Sequence, residues 1–209
     1  MPSPNLDVIV SRKILAVEGL DEKSFLDALL KDMGITDRQI EDVGGKVNFR
    51  NRFPALLKRP GFFAPDSSPL VTHLAIVRDR DQDDAFKSIV EIVKKEGLVP
   101  PARHGEFSNA VPKIGIFIMP GAKTKGNMLE DLCLESVQKK PAMRCVDEFA
   151  SCVAKLGDKP KNISKTKALA FMAAQPDIVN SVGLAAQKGY WDFGSPTLEE
   201  LSQFLDNLR

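Results

Sequence analysis

The sequence predicts an α/β domain of three layers, with a mainly parallel central sheet and additional helices toward the C-terminus. Three observations carry this. Short apolar runs alternate with segments whose apolar residues recur at helical spacing. The run Leu74-Ala75-Ile76-Val77 is apolar at consecutive positions, as a strand buried on both faces is. Beyond residue 140 the spacing is helical almost throughout. A single domain over 1–209 is expected, with its core at about 10–135 and a helical part at about 140–209.

The first strand is expected at 13–17, closed by Glu18-Gly19. A helix over 21–33 follows, with Phe25, Leu26, Leu29 and Leu30 on one face, Asp21 as N-cap and Gly34 past its end. A second strand is expected over 40–47, with Gly44-Gly45 opening its far end, and a short helix over 49–57 that Pro60-Gly61 breaks. The strand at 73–77 runs into Arg78-Asp79-Arg80-Asp81-Gln82-Asp83-Asp84, and a helix over 84–96 presents Phe86, Ile89, Val90 and Val93. Residues 105–111 suit an outgoing strand or hairpin arm. Residues 113–119 suit a core strand stopped by Pro120-Gly121. A flexible basic loop, 121–126, then leads to helices over 127–137, 143–156, 165–174 and 198–208.

At 209 residues the chain can bury a proper core, and 43% hydrophobic with 27% charged residues excludes global disorder. A net charge of +1 selects no partner class, because nucleic-acid binding needs basic residues gathered on one face. Cys133, Cys145 and Cys152 contain no CxxC pair, which suits a reduced, partly buried set. With only His73 and His104 beside them, a structural zinc site has little to work with. Residues 1–13 hold no long apolar run or small-residue cleavage site, and no stretch nears the roughly 20 apolar residues of a membrane span. A cytoplasmic protein with no membrane partner is expected.

In open parallel sheets ligands bind beyond the carboxyl ends of the strands. Glu18 closes the first strand, and Asp79 with Asp81 closes the third. The D-x-D spacing lets both aspartates leave an extended chain on one side. Carboxylates converging without compensating charge repel, so such a group holds a cation, and hard oxygen donors favour Mg²⁺ or Mn²⁺. Asp83 extends the candidate ligand set; with Asp84 it can instead cap the next helix. Arg80 suits either an ion pair with Asp83 or a phosphate. Lys123 and Lys125 suit contact with a nucleic-acid backbone or simple solvation, since the spacing of 121–126 is wrong for a phosphate loop. Tyr190, Trp191 and Phe193 read chiefly as a packing anchor, with base stacking as the alternative.

The segment Val17-Glu18-Gly19-Leu20-Asp21-Glu22 resembles the first Toprim motif, and Ile76-Val77-Arg78-Asp79-Arg80-Asp81 resembles the Toprim Asp-x-Asp motif. Ile118-Met119-Pro120, Gly126-Asn127-Met128-Leu129-Glu130-Asp131-Leu132, Lys165-Thr166-Lys167-Ala168 and Trp191-Asp192-Phe193 extend the likeness over nearly the whole chain. Together they resemble a stand-alone Toprim-like family of unknown function, related to the overcoming-lysogenization-defect (OLD) nucleases. The resemblance implies a Toprim-like (Rossmann-like) fold. It implies Glu18 as metal ligand or general acid/base, and Asp79 and Asp81 as Mg²⁺ ligands. It further implies Glu22 and Glu130 as members of a two-metal site, and Lys165 or Lys167 as the catalytic lysine. Arg78 and Arg80 depart from the common motif, which is small or apolar before the first aspartate.

The expected function is Mg²⁺- or Mn²⁺-dependent nuclease-type phosphodiester chemistry. Nucleic acid is the expected partner, with a homodimer or a separate protein partner left open. One alternative is a Toprim-like binding module that does no chemistry. Another is a small-substrate phosphohydrolase with Asp79 as nucleophile, in which Glu18-Gly19 has no role.

Overall fold

The computed structural model describes residues 8–80 and 84–209, with every side chain among them except that of Lys46. Strands β1 (Lys13–Val17), β2 (Gln39–Asp42), β3 (His73–Asp79) and β4 (Lys113–Met119) form a sheet in the order β2-β1-β3-β4. Every pairing is parallel. Helices α1 (Leu20–Asp32), α2 (Lys46–Leu57) and α3 (Ala85–Lys95) connect successive strands. After β4 come α4 (Leu129–Ser136), α5 (Ala142–Val153), α6 (Ile163–Ala173), α7 (Val182–Gln187) and α8 (Glu199–Asp206), the last entered through a 3-10 turn at Pro196–Leu198.

Side chains alternate across a strand, so each strand feeds two cores. Leu15, Val17, Ala75, Val77, Phe117 and Met119 join one core with α1 and the later helices. Ile14, Ala16, Leu74, Ile76, Ile114 and Ile116 join the other with Phe49 and Phe53 of α2 and Ile89 and Val93 of α3. Both faces are covered, which is why the strands read as apolar at successive positions, and the layers are the three expected. Among the described residues no helix is long and apolar enough to cross a membrane.

The boundaries moved where local chemistry overrode periodicity. The second strand stops at Asp42 instead of running to 47, because the Asp42 carboxylate accepts the Gly44 backbone N–H at 2.7 Å and Gly44 turns with φ +72°. Gly45 is then the N-cap of α2, which begins at Lys46, three residues earlier than periodicity alone placed it. Gly19, not Asp21, is the N-cap of α1, since the Asp21 carboxylate accepts the Gly183 N–H of α7 at 3.4 Å. Asp84 does cap α3, accepting the Lys87 N–H at 3.0 Å.

Helix α7 went unread because six residues hold too little periodicity. Its signal was Ser181, whose hydroxyl accepts the Leu184 N–H at 3.1 Å. Gly183 lets α7 lie close on α1, as a Cβ there would stand 2.4 Å from the Ser24 Cβ.

The expected arm at 105–111 contributes only an isolated antiparallel bridge, Phe107 to Gly115. The Phe107 ring lies flat over Gly115, where an added Cβ would stand 2.4 Å from the ring. Gly115→Ala is therefore expected to destabilise by about 1–3 kcal/mol through overpacking. In a Phe107→Ala background the same change should be nearly silent. Urea unfolding of the four-member cycle measures the coupling, and additive effects would remove this account.

Candidate metal centre at the sheet edge

The order β2-β1-β3-β4 sends the chain outward from β1 on one side and from β3 on the other. The crevice between the carboxyl ends of β1 and β3 is therefore the switch point, where neither crossover covers the sheet edge. The register pairs Ala16 with Ile76, which brings Glu18, just past β1, and Asp79, the last residue of β3, to this crevice.

Asp79 is largely buried. Its carboxylate accepts the backbone N–H of Leu129, the first residue of α4, at 3.0 Å. That bond places it next to Glu130. Desolvation, and then the charges of Glu22, Glu18 and Glu130, push the Asp79 carboxyl up to about 8 against the weaker pull of the Leu129 N–H. Glu22, in the first turn of α1, is raised as well. Burial is the main cause, with Glu18, Asp21 and Glu130 adding to it and its own backbone N–H opposing. Four carboxylates forecast from the sequence are thus electrostatically joined: Glu18, Glu22, Asp79 and Glu130. Gly19 gives Glu22 room, since a Cβ there would stand 3.1 Å from Glu22 Oε2.

The sequence motif did not reveal how charge is balanced at one side of this group. Arg78 and Asp79 are consecutive in β3 and leave opposite faces of the sheet. The Arg78 side chain is 2% exposed, lies over the Phe49 ring at 5.3 Å, and donates from Nε to Glu18 Oε1 at 2.5 Å. A charged residue inside an otherwise apolar strand was the visible signal. Arg80 instead donates to the Gly121 carbonyl at 2.7 Å, which ties the end of β3 to the loop after β4. Asp81 and Asp83 lie outside the described residues.

The two candidate lysines separate. Lys165 Nζ stands 3.7 Å from Glu130 Oε1, whereas Lys167 Nζ pairs with Asp147 of α5 at 2.5 Å. The start of α4 is held toward α6 by Asp131, which periodicity did not single out. Its carboxylate accepts the N–H groups of Asn127 and Met128 at 2.8 and 3.2 Å and the Ser164 hydroxyl at 2.5 Å. This cap sets the spacing between Glu130 and Lys165.

Lys123 and Lys125 are exposed on the loop before α4, but the loop is fastened rather than free. Glu200 of α8 accepts the Ala122 N–H at 2.9 Å and the Lys123 N–H at 3.4 Å, and it meets His104 Nε2 at 3.2 Å. His104 Nδ1 accepts the Ile118 N–H at 2.9 Å. Long-range partners of this kind leave no periodic trace in a sequence. Trp191 is a packing anchor: its indole N–H reaches the Val182 carbonyl at 2.9 Å and its ring stacks on Phe171. The cysteines are all free. Cys133 is buried, its thiol raised by burial and by nearby acids, while Cys145 and Cys152 are exposed.

Among the described residues, no three His, Cys, Asp or Glu side chains converge closely enough to form a ready metal cage. The chemistry of the donor set still suits a hard cation. It is all carboxylate, partly buried, and repulsive enough to push the Asp79 carboxyl up to about 8. A cation entering it would replace the carboxyl proton and relieve the repulsion.

The model of the family described as "Protein of unknown function (DUF3226)" matches residues 12–209. The curated proteins contain no match. Among solved structures, the chain is similar to the C-terminal region of the Xanthomonas campestris pv. campestris OLD protein. That match has 16% identity and a TM-score of 0.48, and covers 96% of this chain and 98% of the other. It is also similar to the C-terminal region of the Burkholderia pseudomallei OLD protein, at 13% identity and a TM-score of 0.47, covering 96% and 100%.

Proposed function

We propose that this chain, which belongs to the DUF3226 family, carries a Toprim-type acidic site for divalent-metal-dependent, nuclease-type phosphodiester cleavage. The observation behind this reading is the largely enclosed Asp79 carboxylate at the switch point, raised by its burial and by the charges of Glu22, Glu18 and Glu130. A cytoplasmic setting goes with it.

Asp79, Glu22 and Glu130 would hold Mg²⁺ or Mn²⁺, with Asp81 as a further ligand on the resemblance. When bound, the metal supplies Lewis-acid activation of the phosphodiester and of the attacking water. Glu18, oriented by Arg78, takes the proton from that water as its oxygen bonds to phosphorus. The opposite phosphorus–oxygen bond breaks, and its electron pair leaves with the departing oxygen, which solvent protonates. Lys165, beside Glu130, offers positive charge to the phosphoryl oxygens as they gain negative charge.

Cleavage of supercoiled plasmid and single-stranded DNA in Mn²⁺ or Mg²⁺ is the test. Asp79→Ala is expected to lower the rate roughly a hundredfold or more. Equal rates in wild type and variant, or no cleavage with any metal and substrate, would sink the catalytic reading.

One observation favours a second reading, a module that binds nucleic acid without turnover. Glu18 and Glu130 each already face a cation, Arg78 and Lys165, which weakens their pull on a metal. Metal binding with nucleic-acid affinity and no product would select it.

A further inference from the structure

A cavity of about 180 Å³ opens beside the acidic group; it shares Glu130 with that group and is also lined by Asp21 and by Lys165, the partner of Glu130. Its far wall is apolar, made by Leu169 and Met172 of α6 and Val182 at the start of α7. Asn180 stands at its rim, and among the described residues its carboxamide has no hydrogen-bond partner, so both a donor and an acceptor are on offer. The volume is below the roughly 300–1,000 Å³ of pockets that enclose a drug-sized ligand, and it suits one planar ring system.

We propose that this cavity receives a single unpaired nucleobase, whose own or neighbouring phosphate then lies at Glu130 and Lys165. This rests on the phosphodiesterase reading above and names its substrate class as single-stranded or frayed nucleic acid. A base inside a duplex is stacked and paired, and its ring cannot enter a side pocket without leaving the stack. An apolar wall accepts the face of any base, while one carboxamide at the rim can pair with a base edge. The acidic rim does not repel the ring, because a base is neutral. Asp21 is also engaged with the Gly183 N–H, and Glu130 faces Lys165. The phosphate is left to Lys165, and a divalent cation, when bound, would add positive charge there.

The test uses two variants outside the acidic group. Leu169 is 52% exposed, so Leu169→Trp can fill the cavity from its open side without disturbing the core. Asn180→Ala removes the rim amide. Calorimetric titration with deoxyadenosine and thymidine 5′-monophosphates measures the pocket without turnover. Cleavage of a fluorescent single-stranded oligonucleotide and of its duplex in Mn²⁺ measures it with turnover, and Mn²⁺ affinity is measured separately.

The wild type is expected to bind the mononucleotides and to cleave single strands at least tenfold faster than duplex. Both variants should lose the binding about tenfold while keeping Mn²⁺ affinity. Mononucleotide binding that is lost in both variants, without any cleavage, would uphold the pocket and remove the nuclease reading. Cleavage that both variants leave unchanged, or a wild type that binds no mononucleotide, would overturn the pocket.

Discussion

Arg78→Met is expected to lower the unfolding free energy by about 3–5 kcal/mol, because it removes the buried cationic member of the Arg78–Glu18 ion pair from beside a group of like-charged carboxylates. The guanidinium is almost wholly enclosed by the core around Phe49, and its Nε bond to Glu18 links that core to the acidic group. Methionine keeps much of the apolar stem but not the charge, so Glu18 would face Glu22 and Asp79 without this counter-ion. For a chain of this size the melting temperature should fall on the order of 10 °C. The double variant Arg78→Met with Glu18→Gln should regain most of the loss, since replacing both members of such a pair is often near neutral. Thermal melts of the four proteins at pH 7 decide it. A single variant that melts within a degree or two of wild type would show that Arg78 is not the stabilising counter-charge.

Asp79→Asn is expected to act in the opposite direction. The folded Asp79 carboxyl titrates at about 8 against an ordinary value of 3.8, so between these limits the folded state holds a proton that the unfolded chain has lost. Its contribution to stability is complete below pH 4 and falls away as pH rises toward 8. For a mostly buried group with some solvent access, the loss is on the order of 3–5 kcal/mol across that window. Asparagine carries no such titration and can still accept the Leu129 N–H. Asp79→Asn should therefore be more stable than wild type at pH 8 and similar to it near pH 4. A divalent cation does for the ionised group what the proton did. Mg²⁺ or Mn²⁺ should stabilise wild type strongly at pH 8 and weakly at pH 5, and the variant little at either. Urea unfolding at several pH values, with and without Mn²⁺, measures both effects. Parallel pH profiles for the two proteins would contradict the burial and repulsion described at this site.

The acidic group was legible where its elements are local. Glu18-Gly19 at a strand end and an aspartate after an apolar run are short-range patterns, whereas Glu22 and Glu130 came only from the likeness to the Toprim-like family. The strand positions of β1, β3 and β4 were legible for the same reason, since double burial makes them apolar at nearly every step. What went unread depends on contacts far apart in the chain. The loop at 121–126 looked flexible in isolation and is pinned by Glu200, some 78 positions onward. Lys165 and Lys167 are equivalent by sequence, yet the two-residue step on α6 sends one to Glu130 and the other to Asp147.

By itself, then, the sequence determined the layers of the fold and the acidic residues at the strand ends, Glu18 and Asp79. Hydrophobic periodicity and strand-end chemistry act over a few residues and survive without the rest of the molecule. Tertiary structure decided how those charges are balanced. It buried Arg78 against Phe49 and beside Glu18, drew Glu130 to Asp79 through the Leu129 N–H, and closed α6 and α7 around a cavity at the same edge. Charge balance depends on burial and on distance between segments, and neither exists until the chain has folded.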